Sequence, residues 1–281
     1  MLNLGLVGKY IQNSQAPDLI TKLSKEFNFP LSYKLFDLQK EKEINFELYI
    51  KELRNNGLKG VNVTFPFKEM AAKISNIKGD EVELTKSSNL LLLEEKIVAR
   101  NTDYLGFKNL LNFHFKEKFN NILVLGGGGI GRSVCFALAK YGIKKLYLLE
   151  KDLNKSTQLI EELKKIGINI QAISLKELED NLIFDGILNC TQIGHEHSPG
   201  NILKNYNLKN VKWIFDAIYV PAETEFIKQA KIAGVKTISG IDLFIFQGIE
   251  GFILFSNQES LRENLYRNIE KIREFYFKKL I

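Results

Sequence analysis

The 281 residues are 45% hydrophobic, enough for one large or two ordinary domains with packed cores, and this excludes a disordered chain. The formal net charge of +6 comes mostly from lysines spread along the chain, and no basic run is interleaved with aromatics, so a nucleic-acid interface is not expected. A basic surface suits an anionic small molecule instead. The two cysteines, Cys135 and Cys190, sit in or beside apolar stretches and read as small buried residues, which fits a reducing compartment. The first ten residues show no basic stretch leading into an apolar one, and no run of about 18 uncharged apolar residues follows. The expectation is a cytoplasmic protein with no membrane span.

Strands and helices alternate along the chain. Residues 2–7 form a short apolar strand ending in glycine. Residues 16–27 have helical spacing, with Leu19, Ile20, Leu23 and Phe27 on one face. A strand follows at 31–38, a helix at 46–55 stopped by Gly57, a strand at 61–63, and a hairpin of 88–93 with 96–99 around Glu94 and Glu95. A second unit begins near Tyr104. It holds a buried strand at 122–125, a helix at 129–141, a strand at 145–149, a helix at 153–166 and strands at 168–172, 184–189 and 213–217. Such alternation predicts right-handed parallel crossovers and a doubly wound sheet. The tail, 241–281, reads as two helices.

Within this pattern Gly126, Gly128 and Gly131 satisfy G-x-G-x-x-G between a strand and a helix. The first glycine permits the turn, the second lets a pyrophosphate approach the backbone, and the third allows close helix–strand packing. Glu150 ends the next strand, where a carboxylate hydrogen-bonds a ribose 2′-hydroxyl and repels a 2′-phosphate. Lys151 beside it attracts that phosphate. The chemistry of the pair leans to NAD.

Lys68 follows V-T-F-P-F, and Asp103 closes N-T-D. A lysine ammonium can protonate the oxygen on which charge develops during hydride transfer to a ketone. A nearby carboxylate keeps the lysine charged and fixes its geometry. Alone, the lysine reads as a surface residue and the aspartate as a helix cap. His195-Glu196-His197 shows no third ligand at a sensible spacing, so no metal is expected. His114, between Phe113 and Phe115, reads as structural, and Trp213 with Phe244, Phe246, Phe252 and Phe255 as core.

These motifs resemble the shikimate dehydrogenase family over essentially the whole chain. The family's G-x-P-I-x-x-S-x-S-P reads G-K-Y-I-Q-N-S-Q-A-P, keeping Gly8, Ile11, Ser14 and Pro17. N-V-T-x-P-x-K is intact from Asn62 to Lys68, and N-T-D-x-x-G from Asn101 to Gly106. G-x-G-G-x-x-R appears as Gly126, Gly128, Gly129 and Arg132, and N-x-T as Asn189 to Thr191. D-x-x-Y-x-P-x-x-T appears as Asp216, Tyr219, Pro221 and Thr224, and the closing glycine and glutamine as Gly240 and Gln247.

The resemblance implies two α/β domains around a cleft, the second a Rossmann-type doubly wound parallel sheet, with C-terminal helices returning to the first. Residues 1–103, completed by 240–281, would bind substrate and carry catalysis, and 104–239 would bind the dinucleotide. The implied reaction is the reversible reduction of 3-dehydroshikimate to shikimate with NADP or NAD, NADP being the family's usual cofactor. Lys68 and Asp103 match the catalytic pair; Ser14, Thr64, Asn89, Tyr219 and Gln247 match substrate contacts. The cofactor positions are Gly126, Gly128, Gly129, Gly131, Arg132, Glu150, Lys151, Thr191, Gly240 and Leu243. The implied partners are a ring acid and, at most, a second copy of the chain.

Three departures bear on specificity. Ala16 stands where the family has a second serine, which removes one hydrogen bond to the substrate carboxylate and costs roughly 1.5–3 kcal/mol of binding if nothing replaces it. Tyr10 replaces a proline beside it. Glu150-Lys151-Asp152 replaces N-R-T, whose arginine selects NADP, and only Asn89 survives of G-A-V-N-T. A quinate/shikimate dehydrogenase, or a paralogue acting on a modified ring acid, is the alternative. A non-catalytic dinucleotide or ring-acid sensor is more remote, since a sensor has no need of Lys68 and Asp103.

Overall fold

A computed structural model describes residues 1–41, 43–178 and 182–280. The chain divides into two compact units, Met1–Gly106 with Ile245–Asn268, and Phe107–Phe244 with Ile269–Ile281.

The first unit opens with β1 (Leu2–Gly8), α1 (Ala16–Glu26), β2 (Leu31–Asp37), α2 (Phe46–Asn55) and β3 (Gly60–Val63). Then come α3 (Lys68–Ile74), β4 (Ile77–Lys78), α4 (Asp80–Thr85), β5 (Leu90–Leu93), β6 (Ile97–Arg100) and α5 (Thr102–His114). The six strands form one sheet in the order β2-β1-β3-β5-β6-β4. β2, β1 and β3 run parallel, while β5 is antiparallel to both β3 and β6. Asn45 caps α2 by accepting the Leu48 N–H at 3.1 Å. Gly57, at φ +87, follows that helix. Val7, Ile50, Val61, Phe67 and Leu91 belong to the buried core on one face.

The hairpin is shorter at its start than expected. Ser88 and Asn89 lie outside β5 because their side chains are engaged locally. The Ser88 hydroxyl lies 2.9 Å from both the Leu90 and Arg100 carbonyls, and Asn89 bonds to Thr102.

The second unit contains β7 (Asn121–Leu125), α6 (Gly129–Tyr141), β8 (Lys145–Leu149), α7 (Leu153–Lys165), β9 (Ile170–Ala172) and α8 (Leu175–Leu178). It continues through β10 (Gly186–Asn189), β11 (Trp213–Asp216), α9 (Glu225–Ile232) and β12 (Lys236–Ser239). The sheet is parallel throughout, in the order β12-β11-β10-β7-β8-β9. Its order reverses between β7 and β10, the switch point at which doubly wound sheets bind dinucleotides. Cys135 is buried as expected, whereas Cys190 is only partly so.

α10 (Gly240–Ser256) starts in the second unit and ends in the first. Within the first unit its Phe252 meets Phe27 and Phe29 at 6.3 and 6.1 Å. The tail holds more helices than the two expected. Asn257, at φ +52, ends α10; a short 3-10 turn follows at Glu259–Leu261, then α11 (Arg262–Arg267) and α12 (Ile269–Leu280). α11 belongs to the first unit, where Arg262 pairs with buried Glu250, but α12 belongs to the second. There Arg273 on α12 holds Asp242 at 2.6 Å, and Tyr276 meets Phe244 edge-on. Among the described residues no helix is long and apolar enough to cross a membrane.

Candidate active site

Lys68 is placed by the turn before it. Thr64 N–H donates to the Val7 carbonyl at 2.9 Å, and Phe67 N–H turns back to the Thr64 carbonyl at 2.9 Å, across the cis Phe65–Pro66 bond. Phe67 is buried and stacks on Phe46 with ring centres 4.9 Å apart, which anchors the start of α3. Lys68 is therefore the first residue of a helix whose preceding turn is pinned on both sides. Gly8 lies below: a Cβ there would come 2.3 Å from Thr64 Cγ2, so β1 can approach this turn only with glycine.

The partner arrives 35 residues later. Asn101 fixes the corner between β6 and α5: its Nδ2 donates to Thr85 Oγ1 at 2.9 Å and the Ser87 carbonyl at 3.0 Å, and its Oδ1 accepts the Tyr104 N–H at 3.0 Å. Buried Glu81 adds a brace, accepting Arg100 Nε at 2.6 Å and the Asn101 N–H at 3.2 Å. Asp103, in the first turn of α5, then meets Lys68, with Oδ2 2.6 Å from Nζ. The side chains are 17% and 9% exposed, with Lys68 the more open, so the pair is poorly screened by solvent.

A polar shelf adjoins the pair. Asn89 Oδ1 accepts the Thr102 N–H at 2.7 Å, and Asn89 Nδ2 donates to Thr102 Oγ1 at 2.9 Å. Thr102 Oγ1 lies 3.3 Å from Gln247 Oε1 on α10. Gln247 gets this close because of Gly106, where a Cβ would sit 2.6 Å from the Gln247 nitrogen. The structure thus brings together Lys68, Asp103, Asn89 and Gln247, with Thr64 at the turn that leads to Lys68. Ser14 lies in the same unit, on the loop from β1 to α1, where its Oγ accepts the Ala16 N–H at 3.3 Å. Tyr219 belongs to the second unit, where its ring stacks on Phe244 at 5.3 Å.

The glycine loop lies at the carboxyl end of β7. Gly126 takes φ +89, and its N–H donates to the Leu149 carbonyl at 2.8 Å. A Cβ on Gly131 would fall 1.9 Å from the Gly126 carbonyl oxygen, so the turn and α6 can touch only with glycine there. At Gly128, the residue before α6, an added Cβ would meet nothing within 4 Å. A tight turn, an open side and the start of a 13-residue helix with Gly129 first form a cradle that fits a pyrophosphate. Thr191 adjoins it from the end of β10, since a Cβ on Gly126 would come 2.8 Å from Thr191 Cγ2.

Glu150 is fixed against this loop, its Oε2 accepting the Gly127 N–H at 2.6 Å and its Oε1 the Asp152 N–H at 2.9 Å. Lys151 is exposed. Arg132 pairs with Glu162 on α7 and lies over the Phe136 ring. Gly240 lets α10 start against the β11 loop, because a Cβ there would lie 2.5 Å from the Ala217 carbonyl. Leu243, one turn on, is buried.

Asp216 organises that loop from below. Thr224 Oγ1 donates to Oδ2 at 2.6 Å, and Asn189 Nδ2 and the Ile218 N–H donate to Oδ1 at 3.0 and 3.1 Å. Burial pushes its carboxyl up to about 6, although these hydrogen bonds pull the other way. Asp242 shows the opposite balance: burial raises it, but the neighbouring His114 and the bond from Arg273 outweigh burial and hold it below the usual carboxylate range. His114 thus stands beside a structural ion pair, 3.5 Å from Asp242 Oδ2.

Sequence reasoning passed over Glu81 and Asp37, both of which act through backbone amides that no motif reveals. One ligand atom from each of His195, Glu196 and His197 lies within 4.8 Å of the others, on a largely exposed turn.

The family model described as the shikimate dehydrogenase substrate binding domain matches residues 6–91. A protein of Caldanaerobacter subterraneus subsp. tengcongensis named shikimate dehydrogenase (NADP(+)) is 30% identical over 274 residues, covering 96% of this chain and 95% of its own. The crystal structure of a shikimate dehydrogenase in complex with NADP+ superposes with a TM-score of 0.85 at 26% identity, over 100% of this chain and 96% of the other. Shikimate 5-dehydrogenase from Thermus thermophilus, in complex with NADP(H) and shikimate, gives 0.77 at 26% identity over 92% and 94%. With such relatives along nearly its full length, the chain belongs to the shikimate dehydrogenase family.

Proposed function

We propose that the protein catalyses the reversible, nicotinamide-dependent reduction of 3-dehydroshikimate to shikimate. The observation that carries this reading is the 2.6 Å contact between Lys68 Nζ and Asp103 Oδ2, beside the shelf of Asn89, Thr102 and Gln247. When bound, the nicotinamide supplies the hydride. Lys68 Nζ donates a proton to the carbonyl oxygen as charge develops on it, and takes one back from solvent afterwards. In the reverse direction neutral Lys68 accepts the hydroxyl proton. Asp103 holds the lysine head group in place. Ser14, Thr64, Asn89, Tyr219 and Gln247 serve the ring acid's carboxylate and hydroxyls, since each buried polar group left unpaired costs affinity.

Gly126, Gly128, Gly129 and Gly131 would cradle the pyrophosphate, with Thr191, Gly240 and Leu243 on the nicotinamide side. The relatives' names point to NADP. The carboxylate of Glu150 points to NAD, and it is held by two backbone N–H groups while Lys151 is exposed. A fixed negative charge at the 2′-position outweighs a solvated lysine, and NAD is the cofactor this arrangement favours.

Initial rates with shikimate, using NAD and NADP in turn, test both parts. Turnover with a lower KM for NAD is expected, and Glu150→Gln should move the preference towards NADP. No oxidation of shikimate with either cofactor would sink the assignment. Ala16, which offers no hydroxyl, favours quinate as the second acid to assay.

A further inference from the structure

Four donors converge on one carboxylate at the end of β2. Asp37 Oδ1 accepts the N–H groups of Tyr10 at 3.1 Å and Gln39 at 3.0 Å. Its Oδ2 accepts the Ile11 N–H at 3.3 Å and Gln12 Nε2 at 3.1 Å. Three of the four belong to residues 10–12, the stretch that leads from β1 to Ser14. Tyr10 is the unusual member. Its φ is +60, a left-handed conformation that costs a non-glycine residue roughly 1–2 kcal/mol. The residue is 69% exposed, so burial does not offset that cost. What holds the backbone there is Asp37, whose carboxylate accepts the N–H groups of Tyr10 and Ile11 at 3.1 and 3.3 Å. A proline, whose φ is locked near about −65°, could not stand at position 10 in this backbone. The loop is thus held by an acid from the neighbouring strand.

The consequence falls on Ser14. Its N–H is bonded to the Ile11 carbonyl at 2.9 Å, so the placement of Ile11 sets that of Ser14. Its Oγ accepts the Ala16 N–H, which leaves the hydroxyl proton to be donated. With alanine at 16, this one hydroxyl does the work of two, and its position matters correspondingly more.

We propose that Asp37 is a positioning residue: by holding residues 10–12 it places the Ser14 hydroxyl for the carboxylate of the ring acid, and so sets affinity for that acid without touching it. This rests on the reading of Ser14 as a substrate contact. The test compares Asp37→Ala, Asp37→Asn and the wild type by steady-state kinetics and by hydrogen exchange of the peptide covering residues 9–15. In Asp37→Ala the KM for shikimate should rise about tenfold, the loss of one to two hydrogen bonds' worth of placement. The KM for the dinucleotide and kcat should stay within about twofold. Asp37→Asn keeps one accepting oxygen and should fall between, and exchange at 10 and 11 should quicken in the same order. An unchanged KM for the acid, or a parallel rise in the dinucleotide KM, would overturn the proposal. So would unchanged exchange in the loop. If the wild type oxidises neither shikimate nor quinate, the proposed function fails separately, and the exchange data alone decide whether Asp37 holds the loop.

Discussion

A lysine at a helix start and an aspartate in another helix's first turn are ordinary residues until they stand 2.6 Å apart with little exposure. Each then changes what the other can do. Asp103 holds and aims Lys68 Nζ, so removal of the lysine should abolish proton donation while leaving the glycine cradle intact. Lys68→Ala should lower kcat by about 10²–10⁴-fold, the usual contribution of a positioned general acid, with dinucleotide affinity unchanged. Asp103→Asn, which keeps an acceptor but loses the charge, should fall short of that loss. Fluorescence titration with dinucleotide beside steady-state rates separates the two effects. Retained turnover in Lys68→Ala would remove this lysine from the chemistry. Both residues were legible in the sequence because each ends a contiguous motif. Their contact was not, since spacing in the chain says nothing about distance across a sheet. Asp37 and Glu81 were illegible for a related reason: the amides of Tyr10 and Ile11 lie 26 to 27 residues from Asp37 and that of Asn101 lies 20 from Glu81, and every residue but proline has one.

At the scale of elements, the helix–helix contact in the first unit depends on the absence of a side chain. α5 meets α10 at Gly106, where an added Cβ would lie 2.6 Å from the Gln247 nitrogen and 2.8 Å from its Cα. Backbone atoms cannot rotate away as a side-chain tip can, so Gly106→Ala must push the helices apart. Overpacking of this kind costs about 1–3 kcal/mol. It also withdraws Gln247 from the shelf that it shares with Thr102. The expected outcome is a lower unfolding midpoint together with a raised KM for the ring acid. A variant as stable as wild type, with unaltered kinetics, would show that the helices tolerate the methyl. Elements with a strong period were legible: α1, α2 and α7 have clear apolar faces, and β7 and β8 are apolar runs. α5 was not read as a helix, because buried Gly106, Phe107, Leu110 and Leu111 crowd its middle and blur the stripe. β12, a four-residue edge strand that starts with an exposed lysine, offered no alternation to read.

For the molecule as a whole, the parallel sheet of the second unit follows from strand–helix alternation, and its order matches a dinucleotide-binding fold. The mixed sheet of the first unit was less legible, because short strands such as β4 carry only two residues. The division of the tail turned on single contacts, Arg262 with Glu250 and Arg273 with Asp242, which hydrophobic periodicity does not report. One buried carboxylate also predicts how global stability depends on pH. Asp216 titrates near 3.8 when unfolded and about 6 when folded, because burial disfavours its charge. Between those values the folded state holds the extra proton, so stability falls as pH rises from about 4 to about 6 and levels off above. The difference of about two pH units corresponds to roughly 3 kcal/mol. Asp216→Asn removes the titration but can keep the bonds, since the Thr224 hydroxyl can turn to accept. Urea denaturation of both forms across this range should show the wild type losing stability relative to the variant as pH rises. A difference that stays flat from about pH 4 to about pH 7 would mean that Thr224, Asn189 and the Ile218 N–H compensate the buried charge fully, and that the ordering of this loop is insensitive to the proton.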